Sequence, residues 1–98
     1  NAFIVDKNNS IRTHPESSNI LGGVTRDIVI QIAKKQKIKI IEKPFTLNDI
    51  KYCKEAFLTS TTVKVLPVVK VNNIKINSTK IGEITKVLTY QILKKIHD

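Results

Sequence analysis

The chain opens on a short apolar run, Phe3-Ile4-Val5, which predicts a strand. Asp6-Lys7-Asn8-Asn9-Ser10 follows, rich in residues that tolerate left-handed backbone, and predicts a turn. Ile11 to His14 is then placed to pair back as a hairpin. Proline after His14 forces extended backbone there, and residues 16–19 read as loop.

Helical periodicity begins after Gly22-Gly23. Val24, Ile28 and Ile32 fall at i, i+4 and i+8, with Val29 and Ala33 beside them, and Lys34-Lys35 suits the last turn. Lys37-Ile38-Lys39-Ile40 alternates and predicts a half-buried strand. Beyond Pro44, Thr46 and Asp49 have the spacing of a capping box for a short helix with Leu47 and Ile50 inward. Glu55 to Leu58 reads as a strand ending in hydroxyl residues. Val63 to Val71 reads as another, and Pro67 places that strand at an edge or bulge. Asn72-Asn73 predicts a tight turn into Ile74-Lys75-Ile76. The last helix starts near Gly82, with Ile84, Leu88, Ile92 and Ile96 as its stripe and Val87 in support. Mixed strands and about three helices, with antiparallel hairpins, make the fold class α+β.

Composition narrows the function classes. The 98 residues allow one domain with a modest core. No apolar run approaches the roughly 18 residues of a membrane helix. Cys53 is alone, so no internal disulfide forms, which suits a reducing, cytoplasmic setting. With His14 and His97 the only histidines, no Cys/His metal cluster can be assembled. The net charge of +9 invites a nucleic-acid reading, but only Arg12 and Arg26 are arginine, and the lysines are spread as solvated faces are. The chain lacks Met and begins in a strand, which suggests a piece of a longer protein.

Two segments carry candidate chemistry. Leu21-Gly22-Gly23-Val24-Thr25-Arg26-Asp27 sets glycines before a helix, where uncapped N–H groups and the helix dipole favour an anion and Thr25 adds a hydroxyl donor. Thr59-Ser60-Thr61-Thr62 places four hydroxyls between two strands, natural donors to phosphate or carboxylate oxygens. Taken singly, each segment reads more simply as a turn.

Together with Asn1-x-Phe3, Thr13-His14-Pro15, Pro67-Val68 and Gly82, these segments resemble the class IV aminotransferases in order and spacing over nearly the whole chain. The Thr-Ser-Thr-Thr loop is most similar to that of D-amino-acid aminotransferases; branched-chain aminotransferases and aminodeoxychorismate lyases are the alternatives. The resemblance implies that residues 1–98 form the C-terminal part of a domain that binds pyridoxal phosphate. It implies that the cofactor phosphate meets the amides of Val24 and Thr25 and the amide and hydroxyl of Thr61. Ser60 would lie near the cofactor and Leu21 against its ring, while Arg26 and Asp27 are structural. The Schiff-base lysine and the glutamate facing the pyridine nitrogen would lie upstream of Asn1, so the chain alone is expected to be inactive. Implied partners are an amino acid, a 2-oxo acid, the N-terminal part of the enzyme and a second copy in a homodimer. A non-catalytic remnant that keeps the fold is the competing reading.

Overall fold

A computed structural model of the chain describes residues 1–15, 23–60 and 62–97. Strands β1 (Ala2–Val5), β2 (Ile11–Thr13), β3 (Ile40–Glu42), β4 (Glu55–Ser60) and β5 (Lys64–Val68) form one sheet in the order β3-β2-β1-β4-β5. β2 and β3 run parallel because helix α1 (Val24–Lys35) carries the chain between them. The other pairs are antiparallel, with Phe3 opposite both Thr13 and Phe57. A small hairpin, β6 (Lys70–Val71) and β7 (Ile74–Lys75), stands apart. Helices α2 (Leu47–Tyr52) and α3 (Glu83–His97) complete the fold, so the α+β expectation with three helices holds.

Strand alternation sorts the core into two faces. Phe3, Val5, Ile11, Phe57 and Val65 pack with Val29, Ile32 and Ala33 of α1 and Leu88 and Ile92 of α3. The Phe3 and Phe57 rings stack 4.9 Å apart across the strand pair. Ile4 and Ala56 point the other way and meet Ile76, with Phe45, Ile50 and Val71 beside them.

Several details differ from the sequence reading. The predicted α1 stripe is rotated: Val24 is 71% exposed, while Thr25, Arg26, Val29, Ile32 and Ala33 are buried. Val24 is the first helical residue and leads no further turn onto the sheet. The strand expected from Lys37 begins only at Ile40. Lys37 takes left-handed backbone (φ 60°), and the Lys37 and Ile38 amides donate to the Lys34 and Ala33 carbonyls at 3.1 and 2.8 Å. That double bond closes α1 as a Schellman motif, using a lysine where glycine is usual. In α2 the Thr46–Asp49 capping box forms as read, but Leu47 is exposed and only Ile50 reaches the core. A helix of six residues turns one narrow face inward. The Val63–Val71 strand is divided between β5 and β6, and the side chain of Val87 lies at the rim of the α3 stripe, 37% exposed.

Pro67 sits in the edge strand, as its residue type requires. Its partner Phe57 lies two residues from Thr59, whose amide donates to the Asn1 carbonyl at 2.9 Å. Alternation therefore turns the backbone polar groups of Phe57 toward β1 and leaves Pro67 facing the open edge, where its missing N–H discourages strand addition.

Candidate functional site

The start of α1 and the end of β4 meet. The Thr25 hydroxyl donates to the Ser60 carbonyl at 2.6 Å, across 35 residues of sequence. Thr25 is buried, Ser60 is half-buried, and the Ser60 hydroxyl lies 2.9 Å from that of Thr62. Val63 follows with left-handed backbone (φ 57°), a strained state for a β-branched residue in the hairpin loop before β5. Leu21, Gly22 and Thr61 lie outside the described residues.

Gly23 is the N-cap of α1, extended at φ −98°, and among the described residues no side chain caps the helix. The first backbone bond of the helix runs from Asp27 N–H to the Gly23 carbonyl at 3.1 Å. Helix geometry leaves the N–H groups of Val24 and Thr25 without intrahelical acceptors, at the positive end of the dipole. A methyl group added at Gly23 would meet only ordinary contacts, the nearest being Asn1 Nδ2 at 3.5 Å. Asn1 itself is fastened to β4 through the bond from the Thr59 amide to its carbonyl. One point corrects the sequence reading. The hydroxyl proton of Thr25 is engaged by Ser60, so its side chain ties two elements together rather than offering a free hydroxyl donor.

A second set of contacts grips the next residue. Arg26 is fully buried. Its Nη1 donates to Thr13 Oγ1 at 3.1 Å and its Nη2 to Glu42 Oε1 at 2.9 Å. Thr13 Oγ1 in turn donates to the Ala2 carbonyl at 2.9 Å. These contacts are of the structural kind expected for Arg26; the part played by Thr13 and Glu42 has no sequence signal beyond residue type. Glu55 has no such signal either: it is buried at the start of β4, where it receives bonds from the first turn of α3.

Two groups elsewhere, Asp49 and Cys53, are shifted by structural contacts. The Thr46 amide, followed by the charge of Arg12, holds the Asp49 carboxyl below the usual carboxylate range, against partial desolvation. Burial pushes the Cys53 thiol up, away from the thiolate state that a nucleophile needs. Among the described residues no group of three His, Cys, Asp or Glu could hold a metal, and no helix is long and apolar enough to cross a membrane.

The model of the family "Amino-transferase class IV" matches residues 1–71. A Methanocaldococcus jannaschii protein provisionally named branched-chain-amino-acid aminotransferase is 43% identical over 88 residues, 90% of this chain and 30% of that protein. The D-alanine aminotransferase of Listeria monocytogenes is 33% identical over 90 residues, 92% of this chain and 31% of that enzyme. The branched-chain aminotransferase of Thermoproteus uzoniensis, solved with norvaline, superposes with a TM-score of 0.86 at 29% identity, covering 96% of this chain and 30% of that one. The chain thus spans about a third of the length of the relatives it matches. A family match over most of the chain, joined to the same fold, makes this chain a member of the class IV aminotransferases.

Proposed function

We propose that this chain is the C-terminal, phosphate-gripping part of a pyridoxal-phosphate-dependent aminotransferase that moves an amino group from an amino acid to a 2-oxo acid. The observation that carries the reading is the Thr25–Ser60 bond, which brings the uncapped start of α1 against the hydroxyl-rich end of β4. The residues suit a phosphate: amides at Val24 and Thr25 that helix geometry leaves open, no capping side chain among the described residues, and hydroxyls at Ser60 and Thr62 on the segment that Thr25 holds. When bound, pyridoxal phosphate supplies an electron sink for the reacting amino acid. The work of this chain is to anchor and orient. Val24 and Thr25 would hold phosphate oxygens through their amides, with Thr61 closing the cup. Ser60 would line the approach to the ring, and Leu21 would pack against it. Residues upstream of Asn1 would provide the lysine that moves the proton and the glutamate at the pyridine nitrogen. A cytoplasmic homodimer is the working assembly, in keeping with the lone, half-buried Cys53.

For the substrate, the similarity of the Thr59-Ser60-Thr61-Thr62 loop to that of D-amino-acid aminotransferases favours a D-amino acid. The 43% identity to the Methanocaldococcus jannaschii relative favours a branched-chain amino acid as the second reading. Paired assays with D-alanine and L-leucine, each with 2-oxoglutarate, separate them in the complete enzyme.

Gly23→Asp tests the cup. The φ and ψ at Gly23 admit an aspartate, whose carboxylate would cap the open amides itself and stabilise α1 by roughly 0.5–1 kcal/mol relative to glycine. It would also repel and replace a phosphate. The expected result is an enzyme that is no less stable, with cofactor affinity lost. Unchanged affinity for pyridoxal phosphate would remove the reading.

A further inference from the structure

The first turn of α1 is fastened at two consecutive residues to opposite sides of the sheet. Thr25 is tied to β4 through the Ser60 carbonyl. Arg26 is tied to β2 through Thr13 and to β3 through Glu42. Thr13 extends that tie to β1 through the Ala2 carbonyl. Ala2 pairs with Leu58, and Thr59 donates to Asn1, so the circuit returns to β4 beside Ser60. Four neighbouring strands, β3-β2-β1-β4, therefore fix one helical turn.

We propose that Arg26 is a positioning residue for the phosphate cup, acting through Thr13 and Glu42 to set where the Val24 and Thr25 amides point. This deepens the phosphate-cup reading and rests on it. Hydrophobic packing of α1 begins at Ile28, a turn below the cup, so burial of apolar side chains does not fix the angle of the first turn. Hydrogen bonds are directional and do fix it. The guanidinium suits the task because its planar fork reaches two partners on two strands at once, which a lysine ammonium on a flexible stem does not reproduce. Glu42 is 53% exposed on its side chain, so the pair is anchored at a buried end and hydrated at the other. A pair of that kind orients more than it stabilises.

The test uses the complete enzyme and two probes, pyridoxal phosphate and pyridoxal, which lacks the phosphate. Arg26→Gln, Arg26→Lys and Thr13→Val are compared with wild type by fluorescence titration, alongside thermal melts. Thr13→Val keeps the side-chain shape and removes the hub oxygen, so it stands in wherever the arginine variants do not fold. Arg26→Gln and Thr13→Val are expected to weaken pyridoxal phosphate about tenfold, the factor for one lost or misaimed hydrogen bond, and to leave pyridoxal unchanged. Arg26→Lys should recover part of the loss. Equal weakening of both probes, or none, in the folded variants would overturn the positioning role. Failure of the cup reading itself looks different: wild type would then bind pyridoxal as tightly as pyridoxal phosphate.

Discussion

Glu55 caps helix α3 from another element. Its Oε1 accepts from the Thr85 amide at 2.7 Å and the Thr85 hydroxyl at 2.8 Å, and its Oε2 accepts from the Ile84 amide at 3.1 Å. A carboxylate at the positive end of the helix, buried and fully hydrogen-bonded, joins β4 to α3 near the base of the strand that ends in Ser60. Gly82 makes room for it, since any Cβ there would collide with the Glu55 side chain.

The two positions are therefore coupled. Glu55→Ala should cost about 1–3 kcal/mol by leaving buried amides unpaired, and Gly82→Ala a similar amount by displacing the carboxylate. In the double variant the collision is gone, so the costs should not add. Urea unfolding of the four proteins measures this; strict additivity would contradict the geometry.

Acid should loosen α2. Asp49 takes the Thr46 amide at 2.9 Å and faces Arg12 at 3.4 Å, and its carboxyl is held below the ordinary range. A folded-state value lower than the unfolded one gives stability that is present above the unfolded pKa. That stability is lost as pH falls through the folded value. Asp49→Asn should remove this pH dependence while leaving stability near neutral pH slightly reduced. Chemical-shift titration of the Thr46 amide between pH 6 and about 2 reads it directly.

Lys37 occupies a left-handed position that glycine fills at no steric cost. Lys37→Gly should raise stability by roughly 0.5–1 kcal/mol, the left-handed penalty outweighing the added freedom of the unfolded chain. A fall in the denaturation midpoint would show that the lysine side chain contributes something the closing bonds of α1 do not.

Much of this fold is legible in the residues because local signals agree with it. The Asp6–Ser10 turn, the Thr46–Asp49 box, the placement of Pro67 and the start of α1 after Gly23 each follow from side-chain chemistry within a few residues. What escapes is set by partners distant in sequence. The face of α1 is chosen by the sheet, which takes Thr25 and Arg26 inward and leaves Val24 out. The helix closure at Lys37 uses a residue with no sequence signature for left-handed backbone. Glu55 looks like an ordinary strand-end charge until α3 is folded over it, 30 residues later. In the proposed cup, the two segments are legible as separate candidate anion-binding motifs, but the engagement of the Thr25 hydroxyl by Ser60 depends on tertiary contact.

The Val24 and Thr25 amide protons report most directly on the cup. In the complete enzyme, backbone NMR spectra with pyridoxal phosphate and with pyridoxal should differ at these two residues. Both amides should move downfield only when the phosphate is present, as donors to an anion do. Resonances that stay in place while pyridoxal phosphate binds would contradict the account.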